Sequence, residues 1–268
     1  MTELPILAKS NQYITFVCII KMKNKKEQWF KNWFDSPYYH LLYKNRDDNE
    51  AKIFIDNLNN YLSLPQKSFL LDLACGKGRH SIYFEQKGFV VTGVDLSEQS
   101  ICFAQQFENA NLSFFNHDMR LPFRVNYFDA VMNLFTSFGY FENEKDNLRV
   151  IQSAATAMKP DALMIIDFMN SEKVLRNLKE NETKTINNIN FHICKKISNR
   201  FIIKDIEFED KGKQFSFFEK VKALNLQDFK GYFEKSGLQL IDTFGNYQLQ
   251  NFDAQQSDRL ILIAKKVK

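Results

Sequence analysis

The chain has 268 residues, 44% hydrophobic and 25% charged, an ordinary globular balance that excludes a disordered or collagen-like chain. Its length suits one large α/β domain, or one with an insertion. The net charge of +4 is mild and gives no electrostatic case for a nucleic-acid partner. The longest apolar runs reach only about eight residues, too short for a membrane-spanning helix.

Four cysteines, Cys18, Cys75, Cys102 and Cys194, show no Cys-x-x-Cys spacing and no histidine at ligand distance. Neither a disulfide framework nor a metal site is expected, and reduced thiols in a cytoplasmic protein are the simple reading. Tyr13–Ile20 is apolar and is followed by the basic stretch KMKNKK. A secretory signal has the reverse order. The pattern points to Met22 as the natural start, with residues 1–21 an extension outside a single domain spanning 22–268.

Trp29, Trp33, Tyr39, Leu42 and Tyr43 recur at helical spacing, and Asp48–Leu62 reads as a second amphipathic helix. These helices either cover a sheet edge or close over a ligand. A regular alternation follows. FLLDLA (69–74) is a doubly buried strand, with a helix over Arg79–Lys87. FVVTGVD (89–95), a helix over Glu98–Glu108 and LSFFNHD (112–118) come next. FDAVMNLF (128–135), a helix over 143–158 and ALMIIDF (162–168) complete five strands. Strands alternating with helices predict βαβ units in an open parallel sheet.

After Phe168 the rhythm breaks. Residues 185–222 alternate polar and apolar positions, which predicts three antiparallel strands with a turn at Lys211–Gly212. A helix over Asn225–Lys235, capped by Gly237, and strands at 238–247 and 259–266 end the pattern. The fold class expected is therefore α/β, a seven-stranded doubly wound Rossmann-like sheet with N-terminal helices. An antiparallel β insertion follows its fifth strand. The insertion's phenylalanines suit a lid over a pocket better than a dimer interface, though either a monomer or a homodimer remains open.

The strongest local signal is Asp72-Leu73-Ala74-Cys75-Gly76-Lys77-Gly78 at the end of the first strand, where open α/β sheets bind ligands. Asp95, nineteen residues after Gly76, can accept both ribose hydroxyls of an adenosine ligand. A dinucleotide fingerprint wants a third glycine where this chain has Ser81. An acidic residue four places before the first glycine suits a ligand with an ammonium group and no phosphate.

DLACGKG, GVDLS, the Asp118-Met119-Arg120 triplet and FDAVMNLF resemble, in order, the motifs of class I S-adenosylmethionine-dependent methyltransferases. The likeness covers about residues 40–168 by motif and 225–266 by element order only. It implies S-adenosylmethionine as cofactor. By that resemblance Ala74, Cys75, Gly76 and Gly78 form the loop passing its methionyl part, and Asp72 holds its ammonium group directly or through water. Asp95 and Leu96 follow the second strand at the ribose. Asp118 would accept a bond from the adenine amine, with Met119 against the ring. Leu134 and Phe135 would border the transfer site, and Tyr43 or Arg46 would meet the cofactor carboxylate.

The stretch Asn133-Leu134-Phe135-Thr136-Ser137-Phe138 has neither the Asp/Asn-Pro-Pro-aromatic loop of nucleic-acid amino methylases nor a cysteine nucleophile. D-M-R with FTSFGYF resembles small-molecule methyltransferases. The expected reaction is methyl transfer to N or O of a small-molecule acceptor by in-line displacement, with no nucleic-acid or membrane partner. His80, His117, Tyr140 and His192 are candidate bases, none singled out. The competing classes are a nicotinamide-dependent oxidoreductase and a non-catalytic cofactor-binding protein.

Overall fold

The computed structural model describes residues 29–43 and 48–267. The expected extension at 1–21 and Arg46 lie outside the described residues.

Short helices α1 (Trp29–Phe34) and α2 (Pro37–Leu42) precede α3 (Asp48–Leu62). The alternating core then runs β1 (Phe69–Leu73), α4 (Arg79–Gln86), β2 (Val90–Asp95), α5 (Glu98–Ala104), β3 (Leu112–Asn116), β4 (Phe128–Asn133), α6 (Glu144–Ala157) and β5 (Met158–Met169). A short helix α7 (Ser171–Arg176) leads to β6 (Asn181–Ile186), β7 (Ile189–Ser198), β8 (Phe201–Asp210) and β9 (Lys213–Lys222). The chain returns through α8 (Leu226–Glu234), β10 (Leu238–Phe244) and β11 (Arg259–Lys266).

The main sheet has seven strands in the order β10-β11-β5-β4-β1-β2-β3. Strands β1 to β5 pair in parallel, whereas β11 is antiparallel to both β5 and β10. Successive side chains of a strand point to opposite faces, so Leu70 and Leu71 serve two different cores. Leu70 packs with Phe54, Leu58, Phe84 and Ile101 under α3, α4 and α5. Leu71 packs with Val150, Ile151, Phe229 and Phe233 under α6 and α8. Helix α8 is fixed at its start by a capping box between Asn225 and Asp228.

The insertion is a separate antiparallel sheet of four strands in the order β6-β7-β8-β9, where the sequence predicts three. It begins at Asn181 rather than 185. The missed strand, NETKTI, is an edge strand whose side chains are all at least partly exposed, so it shows no apolar alternation. Strand β5 likewise begins earlier than expected, because Met158 pairs with Phe128.

The aromatic face of the insertion is covered from within the chain. Trp29, Trp33 and Leu42 of α1 and α2 pack on Phe191, Ile206 and Phe208, and the Trp33 ring lies tilted by 37° against Phe217 with centroids 4.7 Å apart. The first two helices therefore pair with the insertion, while α3 belongs to the main domain.

A half-buried polar cluster fastens this cap. Trp33 Nε1–H and the Tyr43 hydroxyl donate to Glu219 Oε1 at 2.8 and 2.5 Å, and Lys204 Nζ donates to Oε2 at 2.7 Å. Burial alone would raise the Glu219 pKa, but the Lys204 ammonium and these hydrogen bonds outweigh it and hold the carboxyl below its usual range. The stability this cluster contributes is therefore present above the unfolded value of about 4.3 and is lost as pH falls through the folded one. Trp29 and Trp33 are the chain's two tryptophans, so tryptophan emission reports on α1 alone. Glu219→Gln is expected to shift that emission at neutral pH toward the form the parent reaches only in acid, with far-ultraviolet circular dichroism retained. An unchanged spectrum would contradict this role.

Candidate functional site

The carboxyl ends of β1, β2, β3 and β4 converge on one cleft. Ala74, Gly76 and Lys77 after β1, Asp95, Leu96 and Ser97 after β2, and His117, Asp118 and Met119 after β3 line it. Phe135, Ser137 and Tyr140 after β4 close one side, and Phe30, Phe34, Tyr39 and His40 of α1 and α2 form the roof. Its volume is about 170 Å³.

Two glycines of the first loop do different work. A Cβ at Gly76 (φ +56°) would meet nothing within 4 Å, so the backbone there borders open space. A Cβ at Gly78 (φ +82°) would lie 2.6 Å from the Phe114 ring. Gly78 is thus needed for packing where α4 begins, and it does not line the cleft. Gly78→Ala combines overpacking with a left-handed backbone and should cost about 2–4 kcal/mol. Urea unfolding would check this, and a loss below about 0.5 kcal/mol would refute the packing argument.

Asp95 is held by backbone. Gly76 N–H donates to its Oδ2 at 2.9 Å and Ser97 N–H to its Oδ1 at 2.8 Å. Each oxygen retains a lone pair for a further donor. Burial raises its pKa against these two bonds. The Ser97 hydroxyl donates to Asp35, between α1 and α2, so this strand end is also tied to the roof.

Asp118 lines the cleft, but Arg120 grips it. The guanidinium reaches both oxygens, with Nη2 2.6 Å from Oδ2, and Arg120 N–H donates to Oδ1 at 2.9 Å. Burial works against ionisation, yet Arg120 holds this carboxyl below its usual range. The same guanidinium lies 4.8 Å from the centroid of Phe141, another wall residue.

Several expected site residues sit behind the cleft rather than in it. Asp72 is buried and accepts the Ser81 hydroxyl at 2.6 Å. Burial pushes its pKa up to about 7, against the Ser81 bond. Cys75 is buried, and burial raises its thiol pKa well above the usual value. Leu134 packs into the core beside Phe54 and Ile165. Among the candidate bases, His80 is buried and held at about 3, chiefly by burial, so its ring is neutral. His117 Nε2 lies 2.9 Å from the Leu121 carbonyl. His192 lines a different cleft on the insertion, beside Thr183. Tyr140 donates to the Thr136 carbonyl at 2.6 Å.

Phe135, Tyr140, Phe34 and Tyr39 are shared with a second, larger cavity of about 450 Å³. That cavity runs between the loop after β4, α7 and the insertion, and it carries Tyr43 on its wall. Tyr43 therefore lies on this side rather than in the first cleft.

The loop between the two cavities is strained. Phe135 and Thr136 both adopt positive φ, +64° and +60°, and a β-branched residue there is a genuine outlier. Asp167 of β5 holds it. Its Oδ2 accepts Phe135 N–H at 2.9 Å and its carbonyl accepts Thr136 N–H at 2.8 Å. Arg259 donates Nε–H to Asp167 Oδ1 at 2.7 Å and Nη2–H to Thr136 Oγ1 at 3.0 Å. Sequence reasoning missed Asp167 and Arg259, which are 92 residues apart. The available signal was a lone aspartate in the apolar run MIIDF.

A methyltransferase-domain family model matches residues 70–161. That stretch is similar to methyltransferase domains. A putative methyltransferase of Bacillus subtilis is 38% identical over 115 residues, 42% of this chain and 47% of that protein. The chain thus spans about half the length of this relative. A glycine/sarcosine N-methyltransferase of Aphanothece halophytica is 26% identical across 90% of this chain and 89% of its own. Among solved structures, an S-adenosylmethionine-dependent methyltransferase from Clostridium acetobutylicum superposes with a TM-score of 0.72. It is 17% identical and the match covers 94% of this chain and 100% of that one, a likeness of fold. No described helix is long and apolar enough to cross a membrane, and no metal-ligand cluster occurs among the described residues.

Proposed function

We propose that this chain transfers a methyl group from S-adenosylmethionine to a nitrogen or oxygen of a small-molecule acceptor. The observation that carries this reading is the pair of cavities meeting at one aromatic wall. An in-line displacement needs donor and acceptor on opposite sides of a shared opening, and alignment is most of what the protein supplies. Phe135 and Tyr140 line both cavities.

The first cleft fits the cofactor. Open space beside Gly76 admits its methionyl part, with Ala74 alongside. Asp95 presents two oxygens to a ribose diol, and Leu96 and Met119 offer apolar surface for the adenine. Asp118 faces the base while Arg120 keeps it ionised. Bound S-adenosylmethionine supplies an activated methyl on a sulfonium. Asp72 acts from behind, holding Ser81 and so the start of α4. The aromatic roof excludes water. We assign Tyr43 to the acceptor side and name no general base.

Ser81 also favours this reading over a nicotinamide cofactor. A dinucleotide loop brings a pyrophosphate to a helix start. Here a buried carboxylate, Asp72, stands behind that turn and binds Ser81, which repels a phosphate when ionised. Calorimetric titration with S-adenosylhomocysteine, with NAD in parallel, tests this. Micromolar binding of the first and none of the second is expected, followed by turnover on a panel of small amines and hydroxylated compounds. Binding of NAD alone would overturn the reading.

A further inference from the structure

Within the methyl-transfer reading, on which this inference rests, the structure assigns the larger cavity to an acceptor that carries a carboxylate or phosphoryl group. Its wall presents Lys173, Lys179, Lys195, Lys204 and Arg259 against two acids, Glu219 and Asp258. The acids that balance the other cations stand outside the cavity. Asp167 is buried behind Arg259, with its side chain 1% exposed. Glu182 pairs with Lys195 and is not on the wall. Asp258, paired with Lys173, has a side chain 79% exposed, so water screens that pair heavily.

Donors remain for a ligand. An ammonium has three. Lys195 spends one on Glu182, and Lys204 spends two on Tyr43 and Glu219. Lys179, on the stretch between α7 and the insertion, makes no ion pair or hydrogen bond among the described residues. The wall shared with the cofactor cleft is aromatic, Phe34, Tyr39, Phe135 and Tyr140, and lysines of α7, of the stretch after it and of the insertion stand elsewhere on the lining. An acceptor seated here puts its reacting atom at Phe135 and Tyr140 and its anionic group among the lysines. Cationic compounds without such a group are excluded by charge.

The test uses the full chain saturated with S-adenosylhomocysteine, and the cofactor-free chain beside it. Inorganic phosphate, malonate and the neutral malonamide are titrated by calorimetry. At least one anion is expected to bind, weakening with added salt, and malonamide to bind at least tenfold more weakly. Phosphate above malonate would identify a phosphoryl-bearing acceptor, and the reverse order a carboxylate-bearing one. Lys179→Glu should weaken anion binding at least tenfold and leave S-adenosylhomocysteine affinity within twofold. Equal binding of malonamide, no anion binding to either form, or an unaffected Lys179→Glu would overturn the proposal. Failure of S-adenosylhomocysteine to bind would instead sink the cofactor reading, while anion binding to the cofactor-free chain still decides this one.

Discussion

Asp167→Ala is expected to cost the fold about 3 kcal/mol, because removing one partner of a buried ion pair strands the other. Arg259 keeps 18% exposure of its side chain, which puts the loss at the low end for such pairs. The larger effect falls on function. Phe135 and Thr136 lose the carboxylate and the guanidinium geometry that hold them at positive φ, a conformation costing of order 1–3 kcal/mol per residue. The loop should relax and the wall between the two cavities should move, lowering methyl transfer by about a hundredfold, as a misplacement of about 1 Å can. Asp167→Asn keeps an acceptor for Phe135 N–H and should recover part of the activity. Urea unfolding, S-adenosylhomocysteine affinity and turnover would be measured on all three proteins. An alanine variant that folds and turns over like the parent would show that the loop holds its own shape.

Asp95→Ala is the second large effect, and it should appear in binding rather than stability. The carboxylate accepts Gly76 N–H and Ser97 N–H, so its loss costs two hydrogen bonds. The same change removes a carboxylate whose ionisation burial opposes, and the two contributions partly offset. On the proposed placement, the ribose hydroxyls by contrast would lose their acceptor outright. S-adenosylhomocysteine affinity should fall by about 1–3 kcal/mol, roughly a factor of 5 to 150. Calorimetry on a variant with unchanged circular dichroism would decide it. A folded variant that binds as tightly as the parent would remove Asp95 from the site.

The contrast between these two aspartates shows what could be read in advance. Asp95 ends an apolar strand at a fixed distance from a glycine loop, and both features are local. Asp167 also lies in an apolar strand, but its meaning depends on Arg259 and on the loop after β4. Gly78 shows a subtler limit. Its place in the loop suggested contact with the cofactor, whereas the ring of Phe114 fills the space its side chain would take. Tyr43 and Leu134 were assigned to the cofactor side by motif. The fold puts one in the other cavity and the other in the core.

By itself the sequence determined the order of strands and helices in the main sheet, the parallel core and the carboxyl-edge loops that carry the glycines and Asp95. Those features rest on runs and spacings within about twenty residues, where apolar periodicity and turn chemistry act. Only the tertiary structure decided the rest: that α1 and α2 cover the insertion, and that Glu219 is the polar anchor between them. It also decided that a second cavity lined by lysines adjoins the first. Each of these joins segments more than a hundred residues apart, and no local pattern encodes which distant partner a buried charge or an aromatic face will meet.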